Sequence, residues 1–298
     1  MTNHAVPAPA AGILLPIGLA VSAALGFAVT DALSKFLTGA LPPLEVAWGR
    51  AVMSGIVASA LLGRAGWQQL RSTPNMRFHL LRGLLSAVVP TLAVYSVGLL
   101  PLALFTSIVF LSPVLMTMLS VPILGERVGP RRWAAVVIGF VATVIIIQPA
   151  GEAFGWAVAL PVACAILGAF YPILTRLAAP GSSHAAQLAL GPGLGAVLMT
   201  LVVPFVWVTP ELPEAGILLL CGLLHAGCHL LVIRAFAAAP TSVLAPFQYV
   251  QLPCSVLVGY FAFSELPRAT TVAGGGLLVA AGVYIAYREH KLSRAGRM

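Results

Sequence analysis

Apolar runs of about 15 to 25 residues, each closed by a short connector of Pro, Gly or charge, follow one another along almost the whole chain. About 20 apolar residues cross the hydrocarbon core of a bilayer as a helix, so the runs read as membrane spans. They fall at Ile13 to Phe36, Leu44 to Leu62, Leu80 to Leu99, Leu102 to Leu124, Trp133 to Ile147, Trp156 to Leu174, Leu188 to Val208, Ile217 to Phe236, Val243 to Phe263 and Thr271 to Tyr287. Pro101 alone divides the third from the fourth, and Pro240 the eighth from the ninth.

Of the 298 residues 60% are hydrophobic and 8% charged, against roughly 25% charged in an ordinary soluble domain. A soluble fold could not hide that much apolar surface, and the mean hydropathy of +1.01 agrees. The net charge of +8 comes from basic residues set singly between apolar runs or in short connectors, which argues against a nucleic-acid partner. They sort by side instead. Ten spans put both termini on one face, which also receives Arg64, Arg71, Arg77, Arg82, Arg127, Arg131, Arg132, Arg176, Arg234, Arg288, Lys291, Arg294 and Arg297. The other face receives only Lys35, Arg50 and Arg268, with Glu152, Glu211 and Glu214. The positive-inside rule then makes both termini cytoplasmic in a multi-pass protein of the bacterial inner membrane. Trp67, Trp133, Trp156 and Trp207 fall near span ends and suit interfacial anchoring. Cys164, Cys221, Cys228 and Cys254 lie inside apolar runs without a CxxC pair, and read as small buried hydrophobes. The N-terminus lacks a cationic region before its first apolar run, so that run is expected to stay as a span.

Sliding the chain against itself by 139 positions lays Gly83, Leu84, Leu85, Ala87, Leu92 and Pro101 on Gly222, Leu223, Leu224, Ala226, Leu231 and Pro240. Phe110 then meets Tyr249, Ser112 meets Gln251 and Glu126 meets Glu265, while Pro113 and Pro253 miss by one residue. Leucines match easily by chance; prolines and glutamates in one register weigh more. Toward the N-terminus the register drifts, with Gly26 and Lys35 resembling Gly168 and Arg176 at slightly longer offsets. The repeating unit holds five spans, an odd number, so the second copy enters from the opposite side. The expected fold is all-α integral membrane, ten transmembrane helices as two inverted five-helix repeats, residues 1–149 and 150–298. Inverted repeats are a recurrent basis of alternating access, with the substrate near the midplane where the halves meet.

The stretch LPLALFTSIVFLSPVLMTMLSVPILGERVGPRRWAAVVIGFVATVII and its weaker echo from Ala239 onward, together with the duplicated halves, resemble the drug/metabolite transporter superfamily. More narrowly, the chain resembles the ten-helix bacterial exporters with two EamA-type repeats. Glu126 and Glu265 stand where that family has its usual glutamate, and Arg50 and Lys35 look like its basic positions. The resemblance covers essentially the whole chain. It implies that the first four helices of each repeat line a central cavity and that the fifth and tenth are peripheral. The branch it resembles most is that of the amino-acid exporters, aromatic ones included, although carriers of S-adenosylmethionine and other metabolites share the motifs.

Polar groups deep in a span are costly and tend to face a cavity or one another. Asp31 and Lys35 stand one turn apart on the first span and can pair, a structural pair before an ion-coupling site. Glu45 lies near the external end of the second span, and Arg50 deeper, where it needs a buried acceptor and is a candidate for a gate or a substrate carboxylate. His225 and His229 are also one turn apart in the eighth span, with neither a third ligand nor an HExxH pattern, so no metal is expected. A cavity-lining or proton-responsive role and a helix-to-helix hydrogen bond stay equally open for them. Gln248, Tyr249 and Gln251 precede the helix kink at Pro253, as Ser112 precedes that at Pro113; a proline frees a carbonyl that a polar neighbour or a ligand can satisfy. Tyr95 and Tyr171 are weaker candidates. The small-residue patterns Ala135-xxx-Gly139, Gly191-xxx-Gly195 and Gly276-xxx-Ala280 read as packing, and Gly191, Pro192 and Gly193 as a hinge or a kink.

The sequence thus leads to an alternating-access exporter of small, electrically neutral metabolites, amino acids first and with broad selectivity; an uptake or exchange carrier for a metabolite such as S-adenosylmethionine is the alternative. An intramembrane lipid-modifying enzyme would need clustered catalytic groups at one membrane face, and no catalytic residue or cofactor is expected. A channel lacks repeated filter motifs. The partners are a small-molecule substrate and the lipid bilayer; a monomer suffices, and a homodimer stays open.

Overall fold

The computed structural model describes residues 14–70, 73–125, 130–147, 155–178, 180–238, 244–277, 279–280 and 284. Glu126 and Pro240 lie outside them. The regular elements are all helical: α1 (Leu14–Leu37), α2 (Pro43–Leu70), α3 (Met76–Leu99), α4 (Leu102–Val109), α5 (Leu111–Leu124), α6 (Pro130–Ile147), α7 (Ala159–Ala178), α8 (His184–Leu188), α9 (Leu194–Thr200), α10 (Leu212–Ala238), α11 (Gln251–Phe263) and α12 (269–277). Among the described residues seven helical stretches are long and apolar enough to cross a membrane, and Val137–Ile146 and Phe247–Phe263 form shorter apolar helices. Each coincides with one of the expected spans. Leu84, Phe140, Val197 and Phe261 project from the bundle as an exposed apolar belt, and Trp67, Trp133, Trp156 and Trp207 are likewise exposed. Such surface is stable only against lipid.

Two expected spans are broken rather than continuous. The fourth divides at Phe110 into α4 and α5, and the ninth opens as a 3₁₀ turn over Ala245–Val250 before α11 begins at Gln251. In each case a proline lies three or two residues beyond the break. Pro113 has no N–H to donate to the carbonyl of Val109, nor Pro253 to that of Tyr249. The seventh span loosens similarly: between α8 and α9, Ala189–Gly193 form a π-helical turn around Pro192. A second correspondence lies further on. Gly125 and Ser264 both take left-handed backbone, with φ of 67° and 55°, one residue before Glu126 and Glu265.

Within the bundle the most extensive packings are α1 against α10 and α3 against α7. Glycines make these approaches close. A Cβ on Gly26 would overlap Cys228 Sγ, so a side chain of α10 seats on the backbone of α1, and one on Gly195 would lie 2.9 Å from the backbone of Ser86, so α3 and α9 meet nearly backbone to backbone. The Gly276-xxx-Ala280 pattern is not used this way: a Cβ on Gly276 meets open space, whereas Gly274 and Gly275 abut Ile146 and Leu252. Cys164, Cys221 and Cys228 are buried free thiols.

Candidate functional site

α1, α2, α10 and α11 converge on a buried cluster of charge. Arg50, from the second turn of α2, lies with Nη2 3.5 Å from Asp31 Oδ1 of α1 and 2.9 Å from His225 Nδ1 of α10. Its Nη1 donates to Ser34 Oγ at 3.0 Å. Gln251, the first residue of α11, donates from Nε2 to the other oxygen of Asp31 at 3.2 Å. A guanidinium only donates, so His225 Nδ1 accepts and the ring proton sits on Nε2. Asp31, Ser34, Arg50 and His225 are all buried. The formal charges of Asp31 and Arg50 cancel, which is what makes the group tolerable in lipid. His229, Phe27 and His225 stack edge to face beside it, with ring centroids 4.6 to 5.7 Å apart. Among the described residues no group of three His, Cys, Asp or Glu side chains gathers at metal-binding spacing. Because Gln251 opens α11 mid-span, directly after the 3₁₀ turn, its side chain reaches Asp31 from the break in the ninth span.

The expected pairing of Asp31 with Lys35 is not the one that forms. Lys35, one turn nearer the end of α1, pairs with Glu265 at 2.7 Å and donates to the carbonyls of Val97 and Leu100 at 2.8 and 2.7 Å. A cation there meets the negative end of α3, while Glu265 Oε2 accepts the N–H of Leu102 at 2.9 Å and meets the positive end of α4. The left-handed Ser264 turns the chain so that Glu265 N–H returns to the Gly259 carbonyl at 3.0 Å and its carboxylate points inward. Glu45 is buried in the first turn of α2 and accepts the Val208 N–H at 3.0 Å, tying α2 to the segment after α9. Both contacts tie helices together at this end of the bundle.

The remaining sequence candidates separate. Ser112 faces α7, its Oγ 3.6 Å from where a Gly168 Cβ would lie. Tyr249 packs edge to face on Phe110, centroids 5.1 Å apart, within an apolar cluster with Ile146 and Leu252. Gln248 is half-buried on the 3₁₀ turn, and Tyr95 is 40% exposed on the outer side of α3. Tyr171 joins a second polar group that sequence reasoning passed over, because Arg82 near a span end reads as an orientation signal. Arg82 Nη2 donates to Tyr171 Oη at 3.2 Å and to the Gln187 carbonyl at 3.4 Å, and Nη1 lies 3.4 Å from His79 Nδ1. A cavity of about 820 Å³, lined by Trp67, Gln68, Leu70, Met76 and Leu190, lies at this end of the bundle. None of the central cluster's side chains lines it.

A helical bundle with an apolar exterior, interrupted spans and a buried, charge-balanced polar centre is that of a polytopic membrane protein. Residues 14–148 match the EamA-like transporter family, so the first half of the chain is similar to that family. Its relatives include an S-adenosylmethionine uptake transporter of Rickettsia bellii (strain RML369-C), 29% identical over 92% of this chain and 94% of that one. A riboflavin transporter of Rhizobium johnstonii (strain DSM 114642 / LMG 32736 / 3841) is 29% identical over 92% and 91%, and the pseudopaline exporter CntI of Pseudomonas aeruginosa (strain UCBPP-PA14) 26% identical over 88% and 93%. A solved crystal structure superposes with a TM-score of 0.68 at 21% identity, covering 91% of this chain and 96% of its own, and so shares the fold.

Proposed function

We propose that the chain is an alternating-access carrier for a small metabolite with an α-amino-acid head and a planar ring, of the S-adenosylmethionine kind, in the bacterial inner membrane. The observation that carries this is the Asp31–Arg50–His225–Gln251 cluster, drawn from α1, α2, α10 and α11. Arg50 and Asp31 are complementary to the carboxylate and ammonium of such a head, and Phe27, His225 and His229 offer ring faces and edges to a heterocycle. The names of the relatives favour such a metabolite over a free amino acid. Export of zwitterionic amino acids, methionine and phenylalanine among them, is the second reading; it draws on the same charge pair.

The architecture we infer is ten spans in two inverted repeats, residues 1–149 and 150–298, with both termini cytoplasmic. It is supported by paired helix breaks ahead of Pro113 and Pro253 and paired left-handed residues before Glu126 and Glu265. The packing agrees as well. Moving on by five spans carries α1 onto α7 and α3 onto α10, so the α1–α10 contact becomes the α7–α3 contact.

Counterflow into proteoliposomes loaded with each unlabelled compound tests the substrate: S-adenosylmethionine, riboflavin, methionine, phenylalanine and a sugar phosphate. S-adenosylmethionine should exchange best. Its net positive charge also makes inward flux respond to potential, at about 2.3 kcal/mol per charge per 100 mV, whereas a zwitterion's flux does not. Exchange of methionine and phenylalanine with none of S-adenosylmethionine would install the second reading, and exchange of the sugar phosphate alone would sink both.

A further inference from the structure

Among the described residues three basic side chains, Lys35, Arg50 and Arg82, are held inside the bundle, and two of them come with a carboxylate. Arg50 has Asp31 at 3.5 Å and Lys35 has Glu265 at 2.7 Å. Arg82 has none among the described residues. It is 1% exposed, its three contacts of 3.2 to 3.4 Å are all to neutral acceptors, and its Nε finds no partner. The surrounding groups are already committed in one direction. Arg82 donates to His79 Nδ1, leaving His79 Nε2–H to donate to Ser182 Oγ at 3.1 Å, and Ser182 in turn donates to the Ala178 carbonyl at 2.9 Å. Tyr171 both accepts from Arg82 and lies beneath it, the guanidinium carbon 5.0 Å from the ring centroid. A guanidinium has five donors in a fork shaped for two oxyanion oxygens. Loosely bonded and without a counterion among the described residues, it is shaped to take up an anion.

Leu190 lines the 820 Å³ cavity, and on the next residue, Gly191, a Cβ would lie 3.2 Å from Arg82 Nη2 and 3.0 Å from Tyr171 Oη. That wall is the π-helical turn Ala189–Gly193, whose ladder is already interrupted by Pro192. Glycine there leaves the space beside Arg82 Nη2 and the Tyr171 hydroxyl clear of a side chain.

We propose that Arg82, with Tyr171 beside it, is a binding site for the oxyanion of the transported solute, a carboxylate or a phosphate, at the end of the bundle opposite the Lys35–Glu265 pair. The solute meets this site between the 820 Å³ cavity and the central cluster. It rests on the carrier reading only for what brings the anion there; the binding itself can be measured without transport.

The test uses purified, delipidated full-length protein in detergent, with binding of benzoate, acetate and inorganic phosphate followed by thermal shift at constant ionic strength against chloride. Wild type should be stabilised in a saturable way by at least one of them. Its apparent Kd should rise about tenfold or more in Arg82→Gln, the fold-change expected when a charge-assisted pair is lost. Arg77→Gln, which removes a neighbouring exposed cation, should bind as wild type does. Should Arg82→Gln not fold, Arg82→Lys is expected to keep part of the response and Tyr171→Phe to weaken it. No saturable response in wild type, or an equal response in the Arg82 and Tyr171 variants, overturns the proposal. So does a response that appears only when phosphatidylglycerol is added back, since the ligand would then be a lipid headgroup. Anion binding without flux of any metabolite would leave this site standing and remove the carrier reading; flux without anion binding would do the reverse.

Discussion

Asp31 and Arg50 hold each other in a setting where neither is tolerable alone, so their substitutions should not be additive. Removing one partner of a buried pair costs about 3–5 kcal/mol, because a bare charge remains. Arg50→Gln and Asp31→Asn should therefore each lower the midpoint of thermal unfolding, and the double variant should recover part of the loss. A double variant as unstable as the sum of the singles would mean that the two residues do not act as a pair. At Gly26 the argument is steric. Alanine there would overlap Cys228 Sγ, and overpacking costs about 1–3 kcal/mol. Gly26→Ala should destabilise the protein, and Cys228→Ala should rescue it; no rescue would put the strain elsewhere. These residues also mark how far sequence reasoning reached. Spacing proposed Asp31 with Lys35, since one helical turn brings them together. Depth decided otherwise: Lys35 sits where the carbonyls at the end of α3 and Glu265 both face it, and Asp31 sits where Arg50 and Gln251 arrive from other helices. Partners from distant segments are invisible to local spacing. Tyr249, singled out for its place before Pro253, instead packs on Phe110 in an apolar cluster.

At the level of elements, the prolines made the breaks foreseeable, because a missing N–H acts on a carbonyl four residues back whatever the tertiary context. The π-helical turn of Ala189–Gly193 was less so: Gly191, Pro192 and Gly193 announce a weak point without saying how the ladder will repair itself. The Lys35–Glu265 clamp joins the ends of α1 and α3, the start of α4 and the turn after α11. A clamp of this kind has to open for a solute to pass on that side. Glu265→Gln removes the ion pair but keeps the shape, so it should make that side more accessible to a membrane-impermeant thiol reagent at a cysteine placed at Ser34. Gly259→Ala should act in the same direction more weakly, since its Cβ would lie 3.1 Å from Glu265 Oε2. Labelling unchanged in both variants would show that the clamp does not govern access.

For the whole molecule, the order of spans followed from composition and hydropathy alone, because lipid leaves helices as the units that satisfy their own backbone. The pairing of α1 with α10 and of α3 with α7 did not; it is visible only in the folded bundle. The inverted arrangement predicts that a cysteine at Glu214 is labelled by impermeant reagent in intact cells, while one at the C-terminus is labelled only after permeabilisation; the opposite pattern would reverse the orientation. The measurement that bears most directly on the proposed carrier function is counterflow of S-adenosylmethionine in proteoliposomes of matched protein content, comparing wild type with Arg50→Gln, Gln251→Leu and the outward-facing control Tyr95→Phe. If the solute binds at the central cluster, Arg50→Gln and Gln251→Leu should each lose about tenfold or more of the flux, the scale set by one charge-assisted bond of about 1.4 kcal/mol or more, and Tyr95→Phe should match wild type. Flux equal to wild type in correctly inserted Arg50→Gln and Gln251→Leu would contradict it.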